Sequence, residues 1–506
     1  MKGIETALPT APETGRLEIT GLAADSRKVE PGFLFAALPG ARVDGLAFVG
    51  EAVKRGAAAV LAPAAAETAV RSLVARAFAE GGTATPAPTG TESPEASPIA
   101  VIVHSNPRRM LALMAARFFG QQPETVCAVT GTNGKTSVVS FLRQIWAHAG
   151  RNAASLGTLG LAAPGAQHAG SMTTPDPVVL HRTLADLAAQ GVDALAMEAS
   201  SHGIDQCRLD GVRLAAAAFT NLGRDHLDYH RSIEGYLAAK LRLFSTLVAD
   251  GGSAVIAADD LASARVRAAA AARGLNVLTY GRAGEHLRLR AIEPIADGQR
   301  LSLDVLGAAH VVQLPLVGDF QALNALAAAG LALATGTPTD AVLAALARLE
   351  PVPGRLERVG RLRGAPIYVD YAHTPDALTA VLKALRPQTS GRLVVVFGCG
   401  GDRDTGKRPE MGAVAKALAD RLIVTDDNPR SEDAAAIRRQ IMVSCPDADE
   451  IGDRTQAIAE AVAGLEAGDV LVVAGKGHET GQIVGARVLP FDDREVVRAV
   501  VGGGAP

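Results

Sequence analysis

The segment that most constrains this chain runs from an apolar stretch, Val126-Cys127-Ala128-Val129, through Thr130-Gly131-Thr132-Asn133-Gly134-Lys135-Thr136-Ser137 and on into Val138-Val139-Ser140-Phe141-Leu142. The pattern reads as a strand, a tight loop and a helix N-terminus. Glycines let backbone N–H groups close on a polyphosphate, Lys135 supplies a cation for its outer phosphates, and Thr136 offers a hydroxyl to a bound Mg²⁺. Gly131, Thr132, Asn133, Gly134, Lys135, Thr136 and Ser137 are therefore expected to hold ATP. The common phosphate-loop spacing would place a glycine where Val129 stands. Gly-Lys-Thr alone also fits an ordinary strand-to-helix turn, and the flanking strand and helix patterns are what favour the nucleotide.

A chain of 506 residues is too long for one core and should divide into about three domains. Apolar residues at 48% and charged residues at 20% supply packed cores and show no sign of global disorder. The formal net charge is −3, with Lys and Arg spread along the chain, which argues against nucleic-acid or membrane-surface partners. Cys127, Cys207, Cys399 and Cys445 are far apart and form no CxxC pair, so neither a disulfide framework nor a zinc site is expected. The N-terminus lacks the apolar core of a signal peptide, and no apolar run approaches the ~20 residues of a membrane span. The expectation is a cytoplasmic monomer acting on small molecules, with no nucleic acid and no membrane insertion.

The expected fold class is α/β in three domains. Residues 1–108 read as a small N-terminal α/β domain, 109–349 as a central phosphate-loop ATPase domain with a mostly parallel sheet, and 350–506 as a Rossmann-like doubly wound domain. The stretch 81–98, rich in Gly, Thr, Pro, Ser and Glu, reads as a flexible insertion. Pro351-Val352-Pro353-Gly354-Arg355 reads as a domain junction and hinge. Beyond it, Ile367-Tyr368-Val369, Val394-Val395-Val396-Phe397, Leu422-Ile423-Val424 and Leu471-Val472-Val473-Ala474 are each followed by a polar cluster. Doubly wound sheets bind ligands beyond the carboxyl ends of their strands, so these clusters suggest one shared pocket.

Two further clusters follow strand-like runs in the central region: Glu198-Ala199-Ser200-Ser201-His202 and Thr220-Asn221-Leu222-Gly223-Arg224-Asp225-His226-Leu227-Asp228. Each places oxygen or imidazole groups where they could reach Mg²⁺ on a nucleotide, though singly each also fits a helix cap or solvated turn. Joined to the phosphate loop and to Asp370-Tyr371-Ala372-His373-Thr374-Pro375, this ordered set resembles the Mur ligase superfamily. These are the ATP-dependent amino-acid-adding enzymes of peptidoglycan synthesis, together with folylpolyglutamate synthetases.

The resemblance implies roles for individual residues. Lys135, Glu198, His226 and Lys240 correspond to the catalytic set, with Thr136, Glu198, His226 and Lys240 at metal and Lys240 carried as a carbamate. Asn324, Arg355 and Asp370 resemble nucleotide-side residues, with Gln321 standing where the family has an asparagine. Ser26, Thr173, Thr174, Ser200, Gln206 and Arg208 resemble residues that hold a uridine-diphosphate-linked muramoyl dipeptide. Arg403, Asp427, Asn428, Pro429, Arg430, Gly475 and Glu479 resemble the set of the members that add meso-diaminopimelate. Chemically, Arg430 offers a planar fork for that substrate's distal carboxylate and Glu479 an anion for its ammonium.

The implied reaction is ATP-dependent amide formation through an acyl phosphate, joining meso-diaminopimelate to the D-glutamate of UDP-N-acetylmuramoyl-L-alanyl-D-glutamate. Two rivals stay open at this stage. A folylpolyglutamate synthetase-like ligase would leave the Ser26 segment and the Asp427–Arg430 cluster unexplained, and a non-enzymatic nucleotide-binding regulator would need no second-substrate pocket.

Overall fold

The computed structural model describes residues 17–40, 43–80, 99–168, 170, 172–295 and 298–503; the expected insertion at 81–98 lies outside them. The chain forms two compact units, the first built from 1–123 with 174–191 and 202–212, the second from the remainder.

In the first unit, strands Gly21–Ala23, Phe33–Ala36, Ala59–Pro63 and Ala100–His104 pair in that order, all parallel. Side chains alternate across the pleat, so Phe35 and Val60 enter one core with Val70 and Val74, while Leu34 and Leu61 enter another with Leu111 and Val178. Helix Pro177–Ala189, capped by Asp176, supplies Val178 to this unit although its sequence neighbours are central-sheet strands.

The second unit carries the eleven-stranded sheet. Leu287–Ile295, Asn276–Gly281, Val248–Ala257, Leu214–Phe219, Thr125–Thr130, Ala194–Glu198 and Ala153–Gly157 lie side by side and parallel. Antiparallel strands extend both edges, Gly298–Val305 with Ala308–Leu314 at one and Gly160–Ala163 with Ala166–His168 at the other. Helices Lys135–His148 and Asp319–Ala334 share its large core, where Phe141 and Trp146 pack with Leu326 and Leu331.

A six-stranded sheet in the same unit orders Glu357–Leu362, Ala365–Asp370, Val470–Ala474, Leu393–Phe397, Arg421–Val424 and Asp449–Glu450, antiparallel only at its first pair. Val395 and Phe397 face one core and Val394 and Val396 the other, the signature of a sheet covered on both faces. Among the described residues no helix is long and apolar enough to cross a membrane.

Candidate active site

The phosphate loop leaves the sheet at its centre. Pairing of Val129 with Glu198 and of Thr130 with Phe219 sets the loop between the polar ends of two neighbouring strands. Gly131 at φ 150° and Gly134 at φ 87° occupy conformations that L side chains rarely adopt. A Cβ at Gly134 would collide with the Asn324 amide oxygen, so glycine here is what lets that amide rest on the loop. The segment after Phe219 braces the loop from the other side. Asn221 Oδ1 accepts from Asn133 N at 2.9 Å, Thr220 Oγ1 donates to the Asn133 carbonyl at 2.6 Å, and Gly223 N donates to Thr132 Oγ1 at 2.8 Å. Lys135 is half-buried, and its ammonium donates to the carbonyls of Gly131 and Thr132 at 2.9 and 2.8 Å. Burial lowers its pKa, with Glu198 and Asp225 opposing.

Lys240 converges on the same loop. Only 1% exposed, it donates to the Gly131 carbonyl at 2.7 Å and lies 4.2 Å from the centre of the Tyr236 ring. Among the described residues a carbonyl and a ring face meet this ammonium at hydrogen-bonding and ring-contact distance. Burial pushes its pKa well below the usual lysine value, and Lys135 pushes the same way. Tyr236 in turn approaches Thr132 Oγ1 at 3.3 Å.

Glu198 is buried, and its two oxygens accept from Thr158 N at 2.8 Å and Thr158 Oγ1 at 3.1 Å. His226 is half-exposed at a left-handed φ of 53°, with Nε2 3.4 Å from the Asp225 carboxylate. Among the described residues no three His, Cys, Asp or Glu side chains converge as a metal centre. The groups that the resemblance implies for a metal are one hydroxyl, one buried carboxylate, one imidazole and one buried lysine. Those groups fit Mg²⁺, which keeps water and phosphate oxygens in its shell, better than a metal held wholly by protein. A cavity of about 550 Å³ runs along Thr136, Ser155, Gly157, Glu198, Arg143 and Glu350, bringing the Thr136 and Glu198 surfaces together.

Arg355 reaches from the junction into the loop, donating to Thr136 Oγ1 at 3.1 Å with its guanidinium 4.5 Å from the Tyr371 ring centre. Gln321 stands where an asparagine was anticipated, and its longer stem has a use. Gln321 Nε2 donates to the Arg355 carbonyl at 3.0 Å, while its oxygen accepts from Asn324 Nδ2 at 3.1 Å. Asp370 fixes the same segment, accepting from Leu356 N at 2.6 Å and Ala372 N at 2.7 Å. Burial raises its pKa to about 6, opposed by the Arg355 guanidinium. The junction is therefore tethered: Gly354, at φ 64°, packs so tightly on Gly477 and His478 that a Cβ would strike their backbone.

At the carboxyl ends of the six-stranded sheet, the residues after three strands meet. Gly400 separates the two arginines: a Cβ there would lie 2.7 Å from Arg430 Nη1 and 3.8 Å from Arg403 Cγ. Arg403 is exposed, and Arg430, at a left-handed φ of 51°, donates to the Gly401 carbonyl at 2.8 Å. Its backbone is clamped by the hairpin Gly481–Val484 and Arg487–Pro490, through Ile483 O at 3.0 Å and Gly485 N at 2.7 Å. Gly475, at φ 116°, admits the Asp427 carboxylate to within 2.6 Å of where its Cβ would be. Asn428 Nδ2 donates to Glu479 Oε2 at 2.8 Å.

Three buried cations at this end escaped the sequence reading. Arg408, fully buried, grips both oxygens of Glu432 at 2.8 and 2.9 Å and donates to the Gly400 carbonyl at 3.2 Å. Arg454 pairs with fully buried Asp493 at 2.7 and 2.8 Å and donates to the Ala474 carbonyl at 2.9 Å. Lys476 donates to Asn428 Oδ1 at 3.1 Å and Glu479 Oε2 at 2.9 Å. Lys476 had a signal, a lysine between two glycines at a strand end; Arg408 and Arg454 had none.

The residues anticipated to hold the dipeptide fall in both units. Within the first, Thr174, Gln206 and Arg208 come together, with Arg208 donating to the Thr174 carbonyl at 2.6 Å and to Gln206 Oε1 at 2.8 Å. Ser26 is buried in the same unit and donates to Glu51 Oε2 at 2.7 Å, a partner the sequence did not suggest. Thr173 and Ser200 belong to the second unit, where Thr173 Oγ1 lies 3.1 Å from Thr158 Oγ1.

A braced phosphate cradle, with guanidinium and carboxylate groups fixed at the strand ends of a second doubly wound sheet, defines a nucleotide-using ligase class. The chain belongs to the Mur ligase family. The models of that family's catalytic domain, middle domain and glutamate ligase domain match residues 18–119, 129–332 and 354–477. The chain is 54% identical to the UDP-N-acetylmuramoyl-L-alanyl-D-glutamate--2,6-diaminopimelate ligase of Mesorhizobium japonicum, over 96% of this chain and 95% of that protein. A solved structure of a UDP-N-acetylmuramoyl-L-alanyl-D-glutamate--2,6-diaminopimelate ligase superposes with a TM-score of 0.67 at 32% identity, covering 96% of this chain and 95% of the other. Folylpolyglutamate synthase of Mycobacterium tuberculosis shares the fold alone, with a TM-score of 0.63 at 21% identity over 79% of this chain and 95% of that one.

Proposed function

We propose that each half of the site serves one half of a ligation: the phosphate loop activates a carboxylate, and the six-stranded sheet presents the amine. The chain is an ATP-dependent amide ligase that adds meso-diaminopimelate to UDP-N-acetylmuramoyl-L-alanyl-D-glutamate in peptidoglycan synthesis. The observation that carries the site assignment is the approach of Arg430 and Arg403 to Gly400, in a segment whose Asn428 hydrogen-bonds the Glu479 carboxylate. A molecule with an ammonium and a carboxylate at its distal end matches that charge pattern, and lysine, lacking the carboxylate, does not.

In the first step the D-glutamate carboxylate oxygen attacks the γ-phosphorus of ATP, forming an acyl phosphate and releasing ADP. In the second, the diaminopimelate amine attacks the acyl carbon and inorganic phosphate leaves. Lys135 turns from the Gly131 and Thr132 carbonyls toward the transferring phosphoryl group and offsets its developing charge. Arg355, already on Thr136, adds a second cation to the same phosphates. Thr136, Glu198, His226 and carbamylated Lys240 would hold Mg²⁺, which when bound neutralises phosphate charge. Carbamylation requires an unprotonated amine, and the burial of Lys240 against the Gly131 carbonyl and the Tyr236 ring supports that form. Ser26, Thr173, Thr174, Ser200, Gln206 and Arg208 hold the nucleotide-linked dipeptide. We place the enzyme in the cytoplasm as a monomer with three domains, bounded at about 108 and 349.

Phosphate release by the purified protein tests this reading. Release is expected only with ATP, the nucleotide-linked dipeptide and meso-diaminopimelate together; equal release with L-lysine would remove the Arg430–Glu479 assignment, and release with a folate and glutamate would overturn the function.

A further inference from the structure

Lys476 lies in the loop after Val470–Ala474, between Gly475 and Gly477, and is completely buried. Its Nζ donates to Glu479 Oε2 at 2.9 Å and to Asn428 Oδ1 at 3.1 Å. The Asn428 amide closes the triangle, its Nδ2 donating to the same Glu479 oxygen at 2.8 Å and its Oδ1 also accepting from Ile483 N at 2.9 Å. Glu479 itself remains 30% exposed. One oxygen of a solvent-reachable carboxylate is thus fastened to a buried ammonium and a buried amide.

A buried ammonium carries a large desolvation cost unless its partners are well placed, so a lysine kept at this position needs a reason beyond packing. Both partners supply one. Asn428 sits in the Asp427–Arg430 cluster after Arg421–Val424, and Glu479 lies beyond Val470–Ala474, two strands away in the sheet; Lys476 bonds to both and reinforces the direct bond between them. A carboxylate on a loop would otherwise rotate among rotamers, and a ligand ammonium would meet it only after ordering it.

We propose that Lys476 is a positioning residue for amino-acid selectivity. It holds Glu479 in place before diaminopimelate arrives, with the Glu479 oxygen that Lys476 does not bind turned to the substrate's distal ammonium. The proposal rests on the assignment of Glu479 to that ammonium.

Steady-state kinetics on the full-length enzyme test it with Lys476→Met, Glu479→Gln and the double variant. Lys476→Met is expected to raise KM for diaminopimelate about tenfold while KM for ATP and for the nucleotide-linked dipeptide stay within about twofold, the size of one lost charged hydrogen bond. In the Glu479→Gln background the same substitution should add less than about twofold, because the two residues act as one unit. A rise in all three KM values, or an undiminished effect in the Glu479→Gln background, makes Lys476 a packing residue and overturns the proposal. If Lys476→Met does not fold, Lys476→Arg keeps the charge but displaces it; a several-fold higher KM for diaminopimelate supports the proposal and an unchanged one overturns it. Should Glu479→Gln itself leave that KM unchanged, the Glu479 assignment falls, an outcome separate from failure of Lys476 alone.

Discussion

The phosphate loop and the amino-acid end of the site solve the same problem, holding charged groups still, by opposite means. The loop is organised by glycine conformations and by uncharged side chains that grip its backbone. Gly131 and Gly134 take positive-φ conformations, and Asn221 and Thr220 tie down Asn133 with short hydrogen bonds. The amino-acid end is organised by side chains, with Arg408, Arg454 and Lys476 each fully or nearly fully buried and each spanning loops far apart in the chain. A device of glycine turns and uncharged braces buries no charge. A side-chain device spends buried charge, and so makes selectivity and stability depend on the same groups.

If that contrast is right, the largest single effect should come from the loop's one transferable cation. Lys135→Ala is expected to lower kcat by about 10²–10³-fold, the loss typical of removing one charge-stabilising donor. Its thermal midpoint should stay close to wild type, because the glycine turns and the Asn221 brace do not depend on it. A circular-dichroism melt shifted down by as much as that of a core variant would show that the Lys135 bonds to Gly131 and Thr132 organise the loop after all.

At the other end the expected loss is in stability. Arg408→Met leaves Glu432 without its bidentate partner and the Gly400 carbonyl without a donor; the cost should be about 3 kcal/mol, the lower end for a broken buried pair. Glu432 keeps 31% exposure, which is why the lower end applies. Urea denaturation measures it, and a loss under ~1 kcal/mol would mean that the Gly400 and Arg430 loops hold each other without it.

These two regions also differ in how readable they were. The phosphate loop was legible because its chemistry is contiguous: a strand, a glycine-bearing turn and a helix start can be read from neighbouring residues. The four polar strand ends were legible for the same reason, and the mostly parallel sheets followed from their spacing. What brings Arg403 beside Arg430 was not legible, since it depends on Gly400 having no side chain and on Arg408 reaching Glu432 across 24 positions. Nor did the sequence suggest that helix Pro177–Ala189 would pack into the N-terminal core, because an amphipathic helix does not name its partner.

A smaller effect should separate the two arginines. Arg430→Lys keeps the charge but loses the planar fork, so preference for diaminopimelate over L-lysine should fall about tenfold, while KM for ATP holds. Measured as a ratio of kcat/KM values, unchanged preference would show that the Asp427–Arg430 segment is only a turn clamped by its hairpin.

Asp370 stands between the two regions and shares features of both. Its carboxylate orders backbone, through Leu356 N and Ala372 N, yet it is a buried charge like those at the amino-acid end. Burial lifts its pKa to about 6 from an ordinary value of 3.8. Between those values the folded protein binds a proton that the unfolded chain has released, so this group's contribution to stability is greatest at low pH and declines as pH rises through that window. Asp370→Asn removes the titration while keeping one acceptor. The difference in thermal midpoint, wild type minus variant, should therefore fall as pH rises from 4 to about 6.5 and level off above it. A difference that is flat or rises over that range would mean that the backbone N–H groups and Arg355 stabilise the anion more than burial opposes it. The junction would then belong with the phosphate loop and not with the buried charges beyond it.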